Sequence, residues 1–146
     1  EWGNNPLPRP DEEVEPQTAC NCGRSGCIET YLSGPALSAD HARLTGNART
    51  PPDLVRAAAD GDACAETTLV RYERRLAKSL ASVINLLDPH VIVLGGGLSN
   101  IARLYVNVPR LWCAHVFSDV IATRLVRNRH GDASGVRGAA FLWEAV

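Results

Sequence analysis

The sequence has no methionine, no run of Lys and Arg, no repeat and only short apolar runs, such as VIVL at 91–94, none longer than five residues. Each absence excludes something. A membrane helix needs roughly 18 consecutive apolar residues, and no charged-then-apolar leader opens the chain, so it reads as soluble and cytoplasmic, with no membrane partner. Fifteen basic residues against sixteen acidic ones give a net charge of -1, which leaves no patch to grip a phosphate backbone and excludes nucleic acid as a direct partner. The chain opens on Glu1 with no methionine anywhere, so further polypeptide is expected upstream. Five cysteines are an odd number, and Cys20, Cys22 and Cys27 are too close in sequence for an extracellular staple set; reduced thiols are expected. A length of 146 residues suits one core.

Residues 1–19 hold four of the nine prolines and the acidic run DEEVE, the composition of an extended, solvated loop. CIETYLS is a short helix candidate closed by Gly34, with Pro35 opening a helix that runs to Gly46. Thr50 before Pro51 reads as an N-cap for a helix ending at Gly61. Leu69, Tyr72, Leu76, Leu80, Val83, Ile84 and Leu87 recur at helical spacing and predict a central core helix over 65–87, with Arg71, Arg74, Arg75 and Lys78 on its other faces. Asp88-Pro89 ends it, and HVIVL reads as a strand covered on both faces. A helix capped by Ser99 or Asn100 should follow, broken or kinked at Pro109, then a strand in IATRLVR and a closing helix over 134–146 with Val136, Ala139, Ala140, Trp143 and Val146 on one face. This succession predicts an α/β fold with a ligand beyond the carboxyl end of the first strand, at Gly95, Gly96 and Gly97.

Two stretches carry chemistry. In CNCGRSGC, Cys20, Cys22 and Cys27 bring three thiols to a loop that Gly23 and Gly26 let fold tightly, a donor set suited to zinc if a fourth ligand comes from elsewhere. Three unligated cysteines in a glycine turn is the other reading. Cys64 and Cys113, on helix patterns, read as small core residues, and His41 as a surface residue. His130 and Asp132 read as turn formers.

EWGNNPLP, CNCGRSGCIETYLSG, LDPHVIVLGGGLSN and HGDASGVRGAAFLW together resemble four successive blocks of the C-terminal half of ROK-family sugar kinases, closest to the bacterial fructokinase branch. The resemblance implies an actin-like, ribonuclease-H-like ATPase lobe with a zinc-knuckle loop. Residues 1–133 would form the lobe, with the cysteine-rich loop in 1–34, and 134–146 a closing helix packed on a missing N-terminal lobe. It implies transfer of the γ-phosphate of ATP, with Mg2+, to a hexose hydroxyl in a homo-oligomeric protein.

Glu1, Asn4 and Glu29 fall at the family's sugar-binding positions, Gly95, Gly96 and Gly97 at its nucleotide turn, and Cys20, Cys22 and Cys27 at its zinc ligands. Asn4 stands where the family has a zinc-binding His, which leaves the fourth ligand to water, another side chain or nothing. Glu29 also reads as an acid at a helix start, favoured by the helix dipole. The family's phosphate-binding turn and proton-accepting Asp have no match here, so no catalytic residue is expected in this chain and the chain alone should not be a competent kinase. The same lobe serves as a sugar sensor in ROK transcription repressors, and a zinc-stabilised dimerisation module without catalysis is a third reading.

Overall fold

The computed structural model describes residues 1–10 and 16–142. Two short helices, α1 (Glu29–Leu32) and α2 (Gly34–Thr45), meet at Ser33, whose Oγ accepts a hydrogen bond from the Ala36 N–H at 3.2 Å. Ser33 is the junction rather than Gly34, because a hydroxyl can satisfy an orphan N–H of the second helix and a glycine cannot. Gly46 ends α2 in the left-handed conformation, φ 79°. Helix α3 (Pro51–Ala59) starts as the sequence implies, with Thr50 Oγ1 accepting from the Asp53 N–H. Helix α4 (Ala63–Leu87) begins earlier than expected because Asp62 accepts from the N–H groups of both Cys64 and Ala65. Asp88, left-handed at φ 42° just before Pro89, stops it.

The core forms around α4. Leu69, Tyr72, Leu76, Leu80 and Ile84 are buried together against Leu37 of α2, Leu54 of α3 and, from α5 (Leu104–Trp112), Leu104, Val108 and Trp112. Burying each such side chain contributes about 1.5–3 kcal/mol. Leu87, expected on this stripe, is exposed, since it lies in the last turn beyond its neighbours' reach. Arg75 is the larger departure: it is 1% exposed, paired with Asp40 and set over the Tyr31 ring at 5.4 Å. His41 is buried too, its Nδ1 3.1 Å from Thr68 Oγ1. That hydroxyl donates to the Cys64 carbonyl, so it accepts from His41, and burial lowers the imidazole pKa. Cys64 and Cys113 are both exposed, the reverse of the core reading: one sits in the first turn of α4 and the other at the end of α5.

Strands β1 (Val91–Leu94) and β2 (Arg124–Arg127) are parallel and joined through a short 3-10 turn (Gly97–Asn100) and α5, a βαβ unit. Leu94 pairs with Arg127, which brings the carboxyl ends of both strands to one level. β1 is covered on one face only, by way of Ile92 and Leu94, while Val91 and Val93 are exposed. The expected cover on the second face would have to come from outside the described residues. α5 begins at Leu104 with no side-chain cap, so neither Ser99 nor Asn100 caps it; both belong to the 3-10 turn. The helix runs three residues past Pro109 and stops at Trp112.

Helix α6 (Ser134–Ala140) buries none of its residues. Val136 is exposed, as are Phe141 and Leu142 beyond it; Trp143 and Val146 lie outside the described residues, as does the acidic run 11–15. Leu7, within the segment read as a solvated loop, is in the core. No helix among the described residues is long and apolar enough to cross a membrane.

Candidate functional site

The first functional residues are placed by a small antiparallel ladder. Leu7 N–H donates to Gly26 and Ile28 N–H to Asn5, with Pro6 bridged to Cys27, so the opening segment lies alongside the end of the cysteine loop. The ladder sets Asn4 beside the thiols and Gly3 beside Glu29. A methyl group built on Gly3 would stand 3.5 Å from Glu29 Cβ and 3.7 Å from a carboxylate oxygen of Glu1. Glu1 and Glu29, distant in sequence, line one pocket of about 500 Å³ together with Trp2, Asn4, Leu32 and Ser33. Carboxylates at such a place accept hydrogen bonds from hydroxyls with charge-assisted strength. α1 is a single turn, so the interaction of Glu29 with a helix dipole is a minor part of its setting.

The cysteine loop turns at Gly23 and Gly26, with φ of 84° and 73°, and is closed by a hydrogen bond from Cys20 N–H to Arg24 O and one from Gly23 N–H to Cys20 O. The sulfur atoms of Cys20, Cys22 and Cys27 all lie within 4.8 Å of one another, and Cys22 and Cys27 are 3.6 Å apart. Bonds of about 2.3 Å in a tetrahedron put zinc-bound sulfurs roughly 3.8 Å apart, a separation close to that of Cys22 and Cys27. The Arg24 backbone N–H, followed by the neighbouring thiols, lowers the Cys22 pKa, while burial pushes the Cys27 thiol up to about 11. Among the described residues no fourth His, Cys or carboxylate donor joins the three thiols. Asn4 Nδ2 donates toward Cys20 Sγ at 3.7 Å, and an amide nitrogen has no lone pair to offer a metal. His41 points its Nδ1 at Thr68 and lies in the core, which removes the nearest imidazole in sequence from the list.

Gly95, Gly96 and Gly97 leave the end of β1. Only Gly96, at φ 72° and ψ 179°, occupies backbone space closed to other residues. A Cβ on any of the three would meet nothing within 4 Å. The fold thus explains Gly96 but not Gly95 or Gly97, which keep open a cavity of about 300 Å³ lined by Trp2, Leu32, Tyr72, Leu76 and Leu98. The helix expected to aim its N-terminus here is replaced by the short 3-10 turn, so the approach would be by backbone N–H groups of the turn.

Asn128 was not singled out by the sequence, although it follows β2 directly and parallel pairing brings it level with Gly95. Its Nδ2 donates to Leu94 O and Ser99 Oγ, and Ser99 in turn donates to Gly96 O at 2.6 Å, so it braces the glycine turn. Asn128 Oδ1 is buried without a hydrogen-bond partner among the described residues. Arg127 bonds Asn100 on the same turn. His130 and Asp132 lie in the loop ahead of α6, where Gly131 takes a positive φ and accepts from the Ser134 N–H; they form no site with the carboxylates.

Comparison with known proteins fits this geometry. A ROK hexokinase from Thermus thermophilus superposes with a TM-score of 0.77 at 30% identity, over 96% of this chain and 45% of that one. A ROK-family transcriptional regulator homologous to the Mlc protein of E. coli superposes at 0.74 with 28% identity, over 97% and 37%. In sequence, an N-acetyl-D-glucosamine kinase of Aliivibrio fischeri is 40% identical over 130 residues, 89% of this chain. The chain spans 43% of the length of that relative. The ROK family model matches residues 1–146 throughout, and the chain belongs to the ROK family.

Proposed function

We propose that this chain is the C-terminal, sugar- and nucleotide-facing portion of an ATP-dependent hexose kinase. The observation that carries the reading is that Glu1 and Glu29, on either side of Gly3, line one pocket that shares Trp2 and Leu32 with the glycine cavity. The carboxylates accept hydrogen bonds from sugar hydroxyls, Asn4 supplies a further polar contact, and the open backbone at Gly95 and Gly97 lets phosphate groups approach. The bond from the γ-phosphorus to ADP breaks as one to the sugar oxygen forms, and the hydroxyl proton passes to a base.

No carboxylate lines the glycine cavity among the described residues, so a Mg2+ accompanying the nucleotide would be held there by the phosphates, whose charge it would neutralise. The base and a phosphate-binding turn belong to the part of the longer relatives that this chain does not span. A positioned base is worth about 10²- to 10⁴-fold in rate, so the chain by itself is inactive. Zinc, held by Cys20, Cys22 and Cys27, would fix the loop that carries Glu29; Asn4 adds no fourth donor.

The test is a coupled phosphorylation assay with fructose, the acceptor expected from the sequence resemblance, and N-acetyl-D-glucosamine, the acceptor named for the Aliivibrio relative. The chain alone gives no turnover. Joined to the segment that completes a ROK kinase, it phosphorylates at least one hexose, and Glu29→Ala abolishes the activity. Turnover by the chain alone overturns the placement of the base. The likeness to a ROK regulator supports a second reading, a sugar-sensing lobe, in which the completed protein binds sugar and transfers nothing.

A further inference from the structure

We propose that the Trp2 indole is the wall on which the sugar ring lies, and that it selects six-membered pyranose rings with equatorial hydroxyls. The inference rests on the sugar-pocket reading above and adds the ring form. Trp2 occupies a single 3-10 turn (Trp2–Asn4), directly beside Glu1 and one residue from Gly3, the glycine that separates the two carboxylates. It is 39% exposed, in a protein that buries its other described tryptophan, Trp112, to 2%. An indole left this open to water keeps apolar surface available for a partner.

The pocket around it gives that surface a purpose. Its other apolar side chains, Ile28 and Leu32, are 2% and 9% exposed and belong to the core, so Trp2 is the most exposed apolar side chain that a ligand there can cover. A hexose needs both kinds of contact, because its rim carries hydroxyls and its ring faces carry C–H bonds. Glu1 and Glu29 meet the rim and the indole meets a face. A pyranose with equatorial hydroxyls offers a broad C–H face, whereas an axial hydroxyl interrupts it and a furanose is smaller and puckered. Trp2 and Leu32 also line the glycine cavity, which makes the indole the partition between acceptor and nucleotide.

The experiment is calorimetric titration of the full-length protein that carries this chain, with D-glucose, N-acetyl-D-glucosamine, D-fructose and the ATP analogue adenylyl imidodiphosphate as separate probes. Trp2→Ala should weaken binding of the tighter pyranose about tenfold or more, as expected for loss of an aromatic contact. Trp2→Phe should recover most of it, and, because Trp2 also borders the glycine cavity, the analogue should be weakened in both variants by clearly less than the sugar. Wild type should prefer the pyranoses to fructose.

Glu29→Gln distinguishes the layers of the argument. If it loses sugar while Trp2→Ala does not, the sugar pocket stands and the Trp2 proposal is overturned. If neither variant affects sugar binding, the pocket reading fails with it. An equal loss of sugar and analogue in Trp2→Ala, or in Trp2→Phe, would mean that the indole serves the fold or the wall shared by both cavities rather than the ring, which also overturns the proposal.

Discussion

Asn4 presents an amide nitrogen to Cys20 Sγ where a zinc site needs a lone pair. With three thiolates and no fourth protein donor among the described residues, the purified chain should retain less than one equivalent of zinc after mild chelation. Asn4→His should raise affinity by at least about tenfold, the scale seen even for loss of a group that only supports a ligand. Equal and full zinc in both forms would show that some other group completes the shell. The glycine turn separates fold from function residue by residue. Gly96→Ala should destabilise by about 1–3 kcal/mol, because its φ of 72° with extended ψ is open only to glycine. Gly97→Ala meets no atom within 4 Å and should leave thermal stability nearly unchanged while weakening the binding of adenylyl imidodiphosphate. If both substitutions alter stability alone, the turn is structural. The tripled glycine was legible in the sequence, but its division into one conformational and two permissive positions depends on dihedral angles that no residue pattern encodes.

Helix α4 is held to α5 by charge as well as by apolar contact. Arg103 donates to Glu66 at 2.5 and 2.7 Å and to Glu73 at 2.5 Å, and Asn107 Nδ2 lies 3.0 Å from both oxygens of Glu73. The Glu73 side chain is 3% exposed, so Arg103→Ala strands a buried carboxylate and should cost about 3 kcal/mol, while Arg103→Met combined with Glu73→Leu should recover most of that. Denaturant midpoints measure both.

Arg103 also holds the Glu66 carboxyl below its ordinary value of 4.5. A depressed folded pKa contributes stability that is present above the unfolded value and is lost as pH falls through the folded one. The wild type should therefore lose stability below about pH 4.5 more steeply than Arg103→Ala does. The helical stripe of α4 was readable because apolar residues recur with the period of a helix. The burial of Arg75, Glu73 and His41 was not, since each is covered through a partner remote in sequence: Asp40, Arg103 and Thr68. The one-sided strand β1 escaped for a similar reason, as an apolar run has the same letters whether one face is covered or two.

At the scale of the molecule, apolar surface is left uncovered in several places. Val93 on the sheet, Leu86 and Leu87 at the end of α4, Phe117, and Val136, Phe141 and Leu142 at and beyond α6 are all exposed. A parallel strand pair is ordinarily covered on both faces, and a two-stranded sheet is small for independent stability. We propose that this surface meets the polypeptide that the relatives carry and this chain does not span, with residues 134–142 crossing to it. The isolated chain should then self-associate. Size-exclusion chromatography with light scattering should show a mass that rises with concentration, and Phe141→Glu should shift it toward monomer. A strictly monomeric wild type, with the last turn of α6 protected from hydrogen exchange, would place that helix within this lobe instead.

The central claim is that the pocket between Glu1 and Glu29 positions a hexose to receive phosphate from a nucleotide on the glycine turn. The measurement that tests it most directly is transfer of the γ-phosphate of ATP to a hexose by the full-length protein, wild type against Glu29→Gln. The account predicts sugar phosphate from the wild type and a loss of 10²-fold or more, roughly the scale on which misplacing a reactant lowers rate, in the variant. Sugar binding without any transfer by the wild type, or undiminished transfer by Glu29→Gln, would contradict it.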